Sequence, residues 1–142
     1  MEYTRKQLLA MTIWGEARGE MKNSPLGGIL VGQVIINRWK KPCWWGRSLK
    51  GVILKPWQFS CWNDNDPNKE KMYAVMDNMA AGGDDKLMRQ CMHIAQGLIL
   101  GYYMDYSGGA NHYFSMNMSR PPKWSRGKTP VRIEGNHAFY RL

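Results

Sequence analysis

One segment constrains this chain more than any other: LGGILVGQVIINRWK, residues 26–40. It is helical by length and apolar nearly all round, with Leu26, Leu30 and Val34 on one side and Ile29 and Ile36 on another. A helix without a polar face must be surrounded. The segment is therefore expected to be the central buried helix, with the other elements packed about it. Gly27, Gly28 and Gly32 would let those neighbours approach closely. Its three isoleucines and two valines would also suit strands.

The flanking segments supply the rest of a mainly helical chain. Thr4 and Gln7, just before LLAMTIW, have the spacing of a capping box. The helix they open should run to about Gly19. Residues 40–66 are irregular and tryptophan-rich, with one short helix near 48–54. Pro67 fits the first position of a helix capped by Asp66, covering about 67–80 and ending at AGG. A further helix runs from Asp84 or Asp85 to Leu100, with Leu87, Cys91, Ile94 and Leu98 on one stripe and Gly101 as its stop. The last forty residues or so are broken by glycine and proline and read as short strands and loops. The fold class is thus α+β and mainly helical, with a small C-terminal strand and loop region.

At 142 residues the chain suits one domain with a real core. We expect a single domain over 1–142, with no linker long enough to mark a second. Lys and Arg outnumber Asp and Glu by 20 to 11, a formal charge of +9 that favours a polyanionic partner: nucleic acid, anionic lipid or an acidic wall polymer. Cys43, Cys61 and Cys91 form no CxxC pair, so no disulfide framework is implied and the thiols are read as mostly buried small hydrophobes. The N-terminal MEYTRKQLLA lacks the apolar run of a signal peptide, and no stretch is long and apolar enough for a membrane span.

The residue that stands out is Glu16, in TIWGEARGE. Leu9, Ile13 and Glu16 fall at i, i+4 and i+7, so this carboxylate rides on the stripe that should face the core. Burying an unpaired charge is costly. A partly closed, apolar setting is what a general acid needs to hold a proton near neutral pH. The ordinary alternative is a solvated glutamate in the last turn of a helix.

Other chemistries have weaker support. HExxH and other zinc spacings are missing, so neither metal nor cofactor is expected. GxSxG and the nucleotide loops are also missing. Cys61 with His112 would imitate a thiol peptidase, but a buried free cysteine is the commoner case. Trp57, Gln58, Trp62, Tyr113, Phe114 and Trp124 crowd the irregular segments. Rings interleaved with amides and hydroxyls suit sugars, whose apolar faces stack while their hydroxyls bond. The same mixture with surplus Lys and Arg also suits single-stranded nucleic acid.

Taken in order, IWGEARGE (13–20), NRW (37–39), QFSCW (58–62), GGANHYF (108–114) and GNHAFY (135–140) resemble the signature blocks of the SleB/CwlJ-like cell wall hydrolases. The similarity runs from about Leu8 to Tyr140. It implies a lysozyme-like domain acting as a lytic transglycosylase on peptidoglycan, with Glu16 in the place of the family's catalytic glutamate. Gln58, Phe59 and Ser60 match its second block and Asp105 its aspartate before the GGA turn. Asn111 stands where many members have Thr, in a string ending HY, here His112 and Tyr113, and Asn136 and His137 match the closing block. The chain departs from the pattern at Met21, at GGILVG (27–32) and at Lys50.

The resemblance therefore makes Glu16 the expected catalytic residue, with Gln58, Ser60, Asp105, Asn111, His112, Tyr113 and His137 as substrate-binding residues. Its expected product is a 1,6-anhydromuramic acid end. The enzymatic alternative is a muramidase using Glu16 with Asp105, although an aspartate before YSGG also suits an Asx-type turn. A basic aromatic nucleic-acid module is the distant third reading. The expected partner is the peptidoglycan glycan strand rather than a specific nucleic acid, with the protein a monomer. A phage-type endolysin would wait in the host cytoplasm and reach the wall through a holin-type lesion.

Overall fold

The computed structural model describes residues 2–142. Helix α1 spans Arg5–Ala17 and α2 spans Leu26–Lys40; α3 is Leu49–Leu54, α4 Asn68–Ala80 and α5 Lys86–Leu100. Three short strands follow: β1 (His112–Ser115), β2 (Arg132–Glu134) and β3 (His137–Tyr140). They form one antiparallel sheet of order β1-β3-β2, with Tyr113 opposite Phe139 and Ile133 opposite Ala138.

The helix ends follow local chemistry. The Thr4 hydroxyl accepts the Gln7 N–H at 3.1 Å and the Gln7 side chain accepts the Thr4 N–H at 2.9 Å, which completes the capping box. At its other end α1 stops at Ala17 and tightens into a 3-10 turn over Arg18–Glu20, so the α-helical part is shorter than expected. Pro67 has helical φ and ψ, and Asp66 accepts the Asn68 N–H at 2.8 Å. Asp85 caps α5 through the Met88 N–H, and Gly101 closes that helix in the left-handed conformation.

Helix α2 is the buried centre. Leu30, Val31, Val34 and Ile35 are fully buried, and Gly27, Gly28 and Gly32 are buried with them. A Cβ on Gly32 would lie 2.2 Å from Leu98 of α5, so the two helices touch where α2 has no side chain. Helix α1 packs against both α2 and α5, and α4 covers its other flank. Two apolar clusters result. The larger joins α1, α3, α4 and α5 to one side of α2. The smaller joins Leu30, Val31 and Val34 to Ala17, Ala110 and Phe139, which seats the sheet on α2.

Cys61 and Cys91 are buried as small hydrophobes, whereas Cys43 is exposed. No helix among the described residues is long and apolar enough to cross a membrane.

Candidate active site

Glu16 sits in the last turn of α1, half-buried at the end of the stripe that begins with the fully buried Leu9 and Ile13. Its next neighbour makes the site possible. A Cβ on Gly15 would come within 2.7 Å of both Cys61 Cβ and Met72 Sδ, so only glycine lets the 60–62 turn close onto α1 there. That approach brings two donors to one carboxylate oxygen: the Ser60 hydroxyl and the Cys61 N–H each donate to Glu16 Oε2 at 3.2 Å. From the sheet, the Tyr113 hydroxyl donates to Oε1 at 2.7 Å. Burial, with the Glu16 carboxylate beside it, pushes the Tyr113 hydroxyl well above the ordinary phenol range. It therefore stays protonated and remains a donor.

These groups open onto a cleft of about 540 Å³. Gln58 and Ser60 line one side, Tyr113 and His137 the sheet side, and Trp57 and Trp124 contribute aromatic wall. Glu16 is the one carboxylate among the described residues that line it, and no lysine or arginine does. His137 is buried with an edge-on contact to Tyr113 at 5.2 Å between centroids, and its Nδ1 has no hydrogen-bond partner. Burial holds its pKa below the ordinary histidine value, against the opposing pull of Glu20 and Glu16, which keeps the ring neutral at pH 7.

Five of the expected site residues thus share one cleft: Glu16, Gln58, Ser60, Tyr113 and His137. Three do not line it. Asp105 is the centre of its own turn. It accepts the Ser107 N–H at 2.9 Å, the Ser107 hydroxyl at 2.5 Å and the Gly109 N–H at 3.0 Å, the Asx-type arrangement. Asn37 of α2 holds the same loop through the Ala110 carbonyl at 2.9 Å. Asn111 uses its side-chain amide to bind the backbone of Leu142 in both directions at 3.0 Å. Asp105 and Asn111 line a separate cavity with Lys40, Trp45 and Arg141. His112 lies between Trp45 and Trp124, its Nδ1 2.8 Å from Asn111 Oδ1, and burial lowers its pKa to about 4.

The thiol-peptidase alternative loses its nucleophile. Burial and the nearby Glu16 carboxylate push the Cys61 thiol far up, so it stays a thiol. Among the described residues, no group of three or more His, Cys, Asp or Glu side chains is arranged to hold a metal.

Arg38 is the residue that reading the sequence missed. It is 5% exposed, and no carboxylate pairs with it among the described residues. Its Nε donates to the Asn111 carbonyl at 2.7 Å and an Nη to Gln58 Oε1 at 3.3 Å. The guanidinium lies over the rings of Trp45 and Phe59, 5.4 Å from each centroid. Burial lowers its pKa to about 10, so it remains charged at neutral pH. One buried cation therefore ties α2, the Gln58 loop and the start of β1 together. A phase signal for it exists: Val31, Ile35 and Arg38 repeat the i, i+4, i+7 spacing of Leu9, Ile13 and Glu16.

The helical body thus carries one acidic residue at a helix end, opposite a small antiparallel sheet. The comparisons agree on the fold. The catalytic domain of the germination-specific lytic transglycosylase SleB from Bacillus anthracis superposes with a TM-score of 0.67 at 23% identity, over 99% of this chain and 97% of that one. The catalytic domain of the Bacillus cereus SleB protein gives 0.63 at 23% identity, over 99% and 93%. The sequence model of the family described as Cell Wall Hydrolase matches residues 22–140, a segment that begins C-terminal to Glu16. The chain belongs to this SleB/CwlJ-like cell wall hydrolase family. Spore cortex-lytic enzymes of Halalkalibacterium halodurans and Bacillus subtilis are 28% and 29% identical to it over 94% of its length. The chain spans about a third of those relatives, 33% and 36% of their lengths.

Proposed function

We propose that the protein is a peptidoglycan lytic transglycosylase that cuts the β-1,4 bond between N-acetylmuramic acid and N-acetylglucosamine, with Glu16 as its acid and base. Glu16 in its acid form donates a proton to the glycosidic oxygen as the bond to the muramic C1 breaks. The C6 hydroxyl of the same muramic residue then attacks C1 and returns its proton to the Glu16 carboxylate. The result is a 1,6-anhydro ring, and water is not consumed.

The observation that carries this reading is the solitary carboxylate in the cleft. A retaining or inverting hydrolase of the usual kind needs a second carboxyl group across the scissile bond. Asp105, the candidate for that post, is engaged by its own turn and lines another cavity. The donors around Glu16 suit an acid-base group that changes state within one turnover: the Ser60 hydroxyl can rotate to accept when Glu16 carries the proton, and Tyr113 donates when it does not. The aromatic and amide walls suit N-acetylated sugars. With no cation lining the cleft, nucleic acid is a poorer fit, since phosphate contacts dominate its binding. The basic surface would draw the protein toward wall carboxylates instead.

Digestion of purified sacculi tests the reading. E16Q should fold like the parent, by circular dichroism, and release muropeptides at least roughly a hundredfold more slowly. The parent's muramoyl products should be lighter by one water than hydrolytic ones. Quantitative uptake of solvent oxygen-18 without anhydro species would make the enzyme a muramidase.

A further inference from the structure

Residues Lys55–Gln58 form a tight turn, closed by the Gln58 N–H donating to the Lys55 carbonyl at 3.2 Å. Pro56 occupies its second position, where the ring's fixed negative φ is favourable. In a type II turn the third position takes positive φ, which is why glycine or asparagine usually stands there. Here it is Trp57, at φ 68°, the one non-glycine residue with positive φ among the described residues. A bulky side chain carries a steric cost in that conformation.

Packing does not explain the choice. Trp57 is 78% exposed, the most exposed large apolar side chain among the described residues, while Phe59, two positions on, is 2% exposed in the core. The turn thus holds a large ring out in water at a position where the backbone would prefer no side chain. Its surroundings give that ring a use. Trp57 lines the Glu16 cleft, and it also lines an adjoining cavity of about 530 Å³ with Trp62, Asn63, Asp64 and Asn65. It is the only residue common to the two linings. The second cavity shares the aromatic wall and side-chain amides of the first, and adds Lys55 and the Asp64 carboxylate, whose Oδ1 accepts from Lys69 at 2.6 Å.

We infer that Trp57 is a stacking platform that carries the glycan strand out of the Glu16 cleft into the Trp62–Asn65 cavity, so that substrate binding extends beyond the sugars at the cleavage point. The inference rests on the proposed glycan-cleaving activity. The occupant is the continuation of the same strand, because the platform is the wall of the cleft that holds the scissile bond. A sugar presents an apolar face to the indole and its hydroxyls and N-acetyl group to Asn63 and Asn65.

Trp57→Gly separates the ring from the turn, since glycine takes the same positive φ without the steric cost. Its melting temperature should equal or exceed that of the parent. The kcat/KM on long, peptide-free glycan strands, relative to that on the shortest cleavable fragment, should fall about tenfold, the scale of one well-used aromatic contact. The change should appear mainly in KM, and Trp57→Phe should recover most of it. Equal ratios for parent and Trp57→Gly would overturn the platform while leaving the activity standing. A parent protein that releases no fragments from either substrate would overturn both. A Trp57→Gly protein with a lowered melting temperature and equal losses on both substrates would show that the ring only props the turn.

Discussion

The Tyr113 hydroxyl and Glu16 Oε1 meet at 2.7 Å although 97 positions separate them in the chain. The contact joins the last turn of α1 to the first strand of the sheet, and it forms because the sheet is seated on α2 through Phe139 of β3 and Ala110 of the preceding loop, with Tyr113 packed against them. Helix and sheet therefore share a single carboxylate, whose other oxygen is held by the Ser60–Cys61 turn.

Tyr113→Phe should isolate the value of that hydrogen bond. The ring contacts with Phe59, His137 and Phe139 survive, so the fold should be kept, while the melting temperature falls by the worth of the one lost hydrogen bond. A hydrogen bond to a charged group is worth about 1.5–3 kcal/mol, so the muropeptide release rate should fall roughly ten- to a hundredfold. An unchanged rate in the Phe protein would remove Tyr113 from the acid-base machinery.

Arg38→Lys should cost both stability and activity although it keeps the charge. A lysine ammonium cannot reproduce the fork that reaches the Asn111 carbonyl and Gln58 Oε1, nor lie flat between Trp45 and Phe59. One buried acceptor left without a donor costs about 1–3 kcal/mol, readable by urea unfolding. Well below the melting temperature the Lys protein should still show a raised KM, because Gln58 is no longer held at the cleft wall. A wild-type KM there would reduce Arg38 to a purely structural part.

Acid should weaken the fold through His112. Its pKa, about 4 in the folded protein against 6.5 for a free histidine, means that the unfolded chain binds a proton first as pH falls. Above about 6.5 both states are neutral and the residue contributes no pH dependence. Between 6.5 and about 4 the unfolded state gains, and stability declines; below about 4 both states carry the proton and the decline from this group stops. His137, shifted in the same direction by burial, adds to the trend. His112→Phe keeps a ring between Trp45 and Trp124, so its melting temperature should fall less steeply than the parent's across that window. Parallel curves for the two proteins would contradict the assignment.

Much of this molecule is written locally. The capping box at Thr4 and Gln7, the Asp85 cap and the Gly101 stop are satisfied within a few residues, so a linear reading finds them. The apolar girth of residues 26–40 could only be accommodated at the centre, and it is buried there. Glu16 was legible for the same reason: the phase of a helix dictates which face a residue shares, and Leu9 and Ile13 mark that face as buried.

What tertiary structure alone decided is which loops meet that face. QFSCW and HYF approach Glu16, whereas Asp105 and Asn111, which belong to equally recognisable strings, are spent on an Asx turn and on the backbone of Leu142. Hydrogen-bonding residue types declare the capacity to bind but not the partner. For loop residues that partner is set by how the sheet lies on α2 and by the closeness that Gly15 permits. Arg38 shows the same limit from the other side. Its phase announced burial, but its acceptors come from residues 58 and 111, and only the folded chain brings them to one guanidinium.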